Sequence, residues 1–106
     1  MRRTRFDYNL LDDKHPFELD EENRPHLVKH ETFSEDDLWD VWTSDPVFLP
    51  AAADGDADWL MVAEVAGNVL VVPLAPPDSG DVTKARPIGI DLLKNPVTLD
   101  QYFQLR

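Results

Sequence analysis

The spacing of apolar positions changes once along the chain. Between Ser34 and Pro46 they recur at helical spacing, with Leu38, Trp39, Val41 and Trp42 forming one stripe. Ser34 and Asp37, three residues apart, have the pattern of a capping box, and Glu35, Asp36 and Asp37 sit where the positive end of the helix dipole favours anions. Asp45-Pro46 ends that helix. A shorter helix precedes it, capped by Asp20 or Asn23, with Pro25 tolerated in the opening turn and an end near His30. Beyond Pro46 the period falls to two. Residues 47–49 and 59–65 read as strands separated by the acidic turn AAADGDAD, and Gly67-Asn68 reads as a hairpin turn into VLVVPL. After the loop APPDSGD, the run VTKARPIGI reads as a further strand whose prolines mark sheet edges. Asn95-Pro96 is a break, and Thr98 with Gln101 opens a short closing helix carrying Leu99, Tyr102, Phe103 and Leu105.

This pattern predicts an α+β domain in which the helices, two N-terminal and a short C-terminal one, lie on one face of a small antiparallel β-meander. The expected organisation is a single domain over residues 1–106, with a lead-in arm at 1–19, two helices at 20–44, the antiparallel sheet at 47–90 and a C-terminal segment at 91–106. The arm carries Phe6, Tyr8 and Phe17, and His15-Pro16 as a turn signal. It either packs those rings on the domain or acts as a separate interaction arm.

Composition narrows the chemistry. A chain of 106 residues that is 42% apolar can close one modest core. It has no cysteine, which leaves carboxylate, imidazole, amine and guanidinium groups. With 21 acidic against 10 basic residues the net charge is −11, which repels a phosphate backbone unless the few bases are gathered in one place. The balance favours a basic protein partner, or serves solubility alone. The longest apolar run, NVLVVPLAPP, falls short of the roughly 18 residues that cross a bilayer, and MRRTRF is followed by no apolar segment. The expectation is a cytoplasmic protein with no membrane partner and no cofactor.

Some residues suggest a site and also have a plainer reading. Glu22, His26 and His30 are spaced by four and share a helical face, as in helical zinc sites, but Pro25 disturbs that turn and no fourth ligand is implied. Asp54, Asp56 and Asp58 alternate as in a calcium loop, without the closing glutamate such a loop needs. No metal site is therefore assigned. Trp39 and Trp42 serve as core residues or as anchors for a partner.

The run Asn23, His26, Leu27, Lys29, His30, then Ser34, Glu35, Asp36, Val41 and Asp45-Pro46 resembles the helix-helix-strand signature of the BrnT toxins. These are small ribonuclease components of type II toxin–antitoxin modules with a RelE-like fold. WLMVAEVAGNVLVVPL and DVTKAR fall in step with that family's meander at Trp59, Leu60, Gly67, Leu70 to Val72, Val82, Ala85 and Arg86, so that the resemblance spans roughly residues 17–90.

The resemblance implies metal-independent RNA cleavage through the substrate's own 2′-OH. That reaction needs a group to take the proton and cations to hold the phosphate as charge builds. Carried over position by position, it places Lys29, beside His30, and Arg86 in those catalytic roles and implies RNA and a cognate antitoxin as partners. Lys84, two residues from Arg86, is expected on the same strand face as a second, substrate-binding cation, although the family places none there. The family has arginines where this chain has Glu64, Asn68 and Asp81. A carboxylate in place of a guanidinium reverses the sign of the interaction with phosphate. Glu64 is then either a general base or the partner of Arg86 in an ion pair across the hairpin. Two readings follow: a BrnT-like ribonuclease toxin, or a catalytically reduced relative that acts as a non-enzymatic protein-binding module.

Overall fold

Alternating large apolar side chains build the sheet. In a computed structural model of the chain, which describes residues 4–27 and 33–106, five strands are formed: β1 (Val47–Pro50), β2 (Trp59–Val65), β3 (Asn68–Ala75), β4 (Arg86–Pro87) and β5 (Asp91–Leu92). They are antiparallel in the order β1-β2-β3-β4, with β5 also paired to β3. Among the described residues the helices are α1 (Arg24–Leu27), α2 (Glu35–Thr43) and α3 (Pro96–Leu105). The α+β class and the antiparallel sheet agree with the sequence reading. The helix placement differs in detail, because among the described residues the two helices longer than one turn flank the sheet in sequence, one N-terminal and one C-terminal.

They also lie on opposite faces, where one shared face was expected. Met61, Ala63, Leu70, Val72 and Leu74 point to one side of the β2–β3 hairpin and pack with Leu38 and Val41 of α2. Val62 points to the other side and joins Leu49 and Tyr102 of α3 in a second, smaller core, bordered by Val47, Leu60, Val69, Val71 and Leu93. The reason is the period of two: each strand carries apolar residues on both faces, and each face needs its own cover.

The hairpin turn is Ala66-Gly67, one residue earlier than Gly67-Asn68. Both residues lie in the left-handed region, at φ 51° and 83°, which is the geometry of a primed turn that matches strand twist. The register pairing Met61 with Val72 and Val62 with Val71 fixes this position and takes Asn68 into β3 opposite Val65.

The strand expected over VTKARPIGI is broken. Within it only Arg86–Pro87 is strand, and a second short strand, Asp91–Leu92, follows just beyond its expected end. Between the pairs Leu74–Pro87 and Val71–Asp91, Val72 and Pro73 of β3 face the three residues Ile88, Gly89 and Ile90, so the outer strand bulges by one residue. Pro73 and Pro87 explain the break, since neither has an N–H to donate across the ladder. Ile88 N–H still reaches Pro73 O at 2.9 Å.

Both helix starts have a local cause. The Asp37 carboxylate accepts from Ser34 N–H at 2.7 Å, as the capping box predicts. At α3 the cap is Asn95, whose Oδ1 accepts from Val97 N–H at 3.0 Å and Thr98 N–H at 3.2 Å, while Pro96 occupies the first turn, where its missing N–H has no consequence. Asn95-Pro96 thus starts the helix that Thr98 and Gln101 were expected to open.

The arm packs its aromatic rings on the domain. Phe17 is buried in the main core, Phe6 and Tyr8 pack against that core, and Tyr8 stacks on Phe48 with ring centroids 4.4 Å apart. Phe17 meets Trp39 and Trp42 edge-on at 5.2 and 5.6 Å, and Trp42 Nε1 donates to Asp13 O at 3.1 Å. The two tryptophans therefore join α2 to the arm as half-buried members of the core.

Candidate functional site

A dense cluster of polar contacts lies where the arm crosses the edge of the sheet. Backbone bonds set it up: Ala85 N–H donates to Pro16 O at 2.8 Å, Glu18 N–H to Ala85 O at 2.8 Å, and Asp12 N–H to Thr83 O at 2.9 Å. Phe17 and Ala85 form a parallel bridge. This crossing places Glu18 and Asp20 beside Arg86, the first residue of β4.

Arg86 Nη1 donates to Asp20 Oδ2 at 2.7 Å and to Glu18 Oε1 at 3.0 Å. The Asp78 carboxylate lies 3.5 Å from Nε, and Glu22 lies 4.0 Å from Nη2. The arginine side chain is 12% exposed. Four carboxylates around one guanidinium hold its proton more firmly than usual, first through the Asp20 hydrogen bond and against the cost of burial. The same bond from Arg86, followed by the backbone N–H of Asn23, lowers the Asp20 carboxyl to about 2. Burial raises the pKa of Glu18, but hydrogen bonds from the Ser79 hydroxyl and from Arg86 outweigh it, so its net shift is downward. The Ser79 hydroxyl donates to Glu18 at 2.5 Å, and Asp78 N–H does so at 3.0 Å, which ties the loop before β4 to the same carboxylate.

Buried Asn23 completes the frame. It accepts from Asp20 N–H at 2.8 Å and donates from Nδ2 to Glu18 O at 2.7 Å. An open depression of about 240 Å³ lies alongside, lined by Glu22, Asn23, Asp56, Arg86 and the apolar wall of Ala75, Pro87 and Ile88.

Lys84 does not share a strand face with Arg86, because β4 begins only at Arg86. Its Nζ donates to His15 O at 2.9 Å. Lys84 and Arg86 thus have a common observed task, holding the arm to the sheet edge. Lys29 and His30 lie outside the described residues. His30 is also one of the three residues whose spacing resembles a helical zinc site, to which no metal is assigned; among the described residues no group of three or more His, Cys, Asp or Glu side chains could hold a metal ion.

Two of the positions that depart from the toxin pattern, Glu64 and Asp81, are engaged elsewhere. Glu64 accepts from Arg106 Nη1 at 2.8 Å, so its ion pair is with α3 and not with Arg86 across the hairpin. Asp81 accepts from the Thr83 hydroxyl at 2.7 Å and from Thr83 N–H at 3.0 Å, which closes a turn and lowers its pKa. Glu18 and Asp20 are the residues that sequence reading missed. They lie 68 and 66 positions from Arg86, and only the path of the arm brings them there.

No described helix is long and apolar enough to cross a membrane. Comparison with protein-family models, with curated proteins and with solved structures finds no match for this chain.

Proposed function

We propose that this chain is a BrnT-like scaffold that works as a non-enzymatic protein-binding module, engaging a basic partner in the cytoplasm. The observation that carries this reading is the neutralisation of Arg86, which donates to Glu18 and Asp20 at 3.0 and 2.7 Å with only 12% of its side chain exposed. An RNA phosphate approaching this guanidinium meets four carboxylates first, and at short range each like-charge contact opposes it. The net charge of −11 extends that repulsion over the whole surface and attracts a cationic protein instead.

The toxin reading, in which Lys29, His30 and Arg86 cleave RNA and a cognate antitoxin silences them, makes the opposite prediction in a single assay. Under the binding reading, expression of the wild-type chain leaves growth unchanged and the purified protein leaves RNA intact. Growth arrest relieved by Lys29→Ala or Arg86→Ala, with RNA cleavage in vitro, would overturn that reading in favour of a ribonuclease.

A further inference from the structure

The sheet face opposite α2 is apolar across three strands, with Val47 and Leu49 on β1, Leu60 and Val62 on β2, and Val69 and Val71 on β3. The only charged residue that the strand alternation puts on this face of the hairpin is Glu64, opposite Val69. The cover is α3, and it is slight. Tyr102 is its one buried residue, it lies chiefly against β1, and Val69 and Val71 at the far side stay half-buried. Its polar anchor is Arg106, which reaches Glu64 at 2.8 Å and stacks over Phe103 at 4.7 Å, with the two ion-pair side chains 48% and 45% exposed. By contrast, α2 buries Leu38 and Val41 completely and is tied to the arm through Trp42. An element with so few buried contacts opens locally at small cost.

We infer that α3 is an exchangeable latch over a docking groove, and that the groove takes a basic amphipathic helix from a protein partner. This helix presents an aromatic side chain in place of Tyr102 and an arginine or lysine to Glu64. The occupant's chemistry is fixed by what already sits there. When α3 leaves, it bares an aromatic site and, at the edge of the apolar face, the Glu64 carboxylate, which attracts a cation in the place Arg106 held. A tethered helix competes at an effective concentration on the order of millimolar. The partner overcomes this by covering Val69 and Val71 as well, which α3 leaves half open, and by the attraction of a body of charge −11 for a basic segment.

The inference rests on the protein-binding reading. The growth and RNA assays test that reading alone and the following experiment tests the latch alone, so either can fail separately. The probe is a fluorescently labelled synthetic peptide of residues 94–106, titrated by anisotropy against the full-length chain. Wild-type protein should bind it weakly. Arg106→Ala protein should bind it roughly two- to fivefold more tightly, and Tyr102→Ala/Arg106→Ala protein more than about tenfold, because each change frees the groove in a larger fraction of molecules. Adding Glu64→Ala to the Arg106→Ala protein should reverse the gain. Equal affinity for wild-type and Arg106→Ala protein, or binding indifferent to Glu64, overturns the latch. The Arg106→Ala protein keeps the answer readable if loss of Tyr102 unfolds the chain. A protein that instead dimerises as its concentration rises, in sedimentation, and stops doing so when Tyr102 is replaced would assign the groove to the α3 of a second copy and overturn the basic-partner occupant.

Discussion

Arg86 and Asp20 make the arm crossing sensitive to acid, and the sign follows from the direction of the shift. The Asp20 carboxyl is lowered from its usual 3.8 to about 2 in the folded chain, first by the Arg86 hydrogen bond and then by the Asn23 N–H. Because the folded value lies below the unfolded one, the pair supports the fold in full at pH above 3.8 and loses that support as pH falls toward 2. Glu18 shifts in the same direction, against the opposing effect of its burial, so it steepens the same acid limb. Asp20→Asn is a narrow test, since the amide oxygen can still accept from the N–H groups of Glu22 and Asn23, at 2.9 and 3.0 Å in the wild type, while the charge is gone. Thermal unfolding of this variant should fall less steeply than wild type between pH 4 and pH 2, from a melting temperature at pH 7 that is lower than that of wild type. Coincident acid limbs for the two proteins would show that the Asp20–Arg86 contact carries no linkage.

Elements whose cause is local could be read in the sequence. β2 matches the predicted bounds 59–65 because Trp59–Val65 is apolar at every position but Glu64, bounded by an acidic turn before it and a glycine turn after it. The start of α2 was legible in Ser34 and Asp37, since the capping contact spans only three residues. The split of the outer strand into β4 and β5 was not, because half its cause lies in Pro73 of a different strand. The face covered by α3 was not legible either, since Tyr102 takes its place from Leu49 and Val62 far earlier in the chain. The same distinction applies to the polar site: Arg86 could be singled out, whereas its partners, 66 and 68 positions away, could not. Asn95 offers a test at this scale. Its side chain satisfies two N–H groups at the start of α3, and truncation of such a cap costs about 1 kcal/mol of helix stability. Because α3 buries only Tyr102, that loss should stay local. Native-state hydrogen exchange of Asn95→Ala should speed up at Leu99 to Arg106 by roughly fivefold, with amides of β2 and β3 unchanged. Equal acceleration in both regions would mean that α3 opens only with the whole domain.

At the scale of the molecule, the question is whether charge holds this fold together or pushes it apart. The attractive contacts are few among the described residues: Arg86 with its carboxylates, Arg106 with Glu64, and Arg24 with Glu35 at 3.6 Å. The last two are exposed pairs, which contribute at most about 1 kcal/mol each. Against them stands a net −11 on 106 residues, and compaction brings those acids closer than they are in the unfolded chain. Salt acts unequally on the two sides. At about 0.1 M the screening length is roughly 10 Å. Repulsion summed over many surface acids at long range is therefore suppressed early, whereas the 2.7 and 3.0 Å contacts of a largely buried guanidinium are screened little. The melting temperature should accordingly rise by a few degrees as sodium chloride is raised from about 0.02 to 0.5 M at pH 7. Arg86→Ala should keep that rise while starting from a lower value, since it removes the attraction and leaves the repulsion. A melting temperature that falls with salt would mean that ion pairs outweigh self-repulsion. The excess negative charge would then cost the fold little, and the case for a cationic partner would lose its energetic basis.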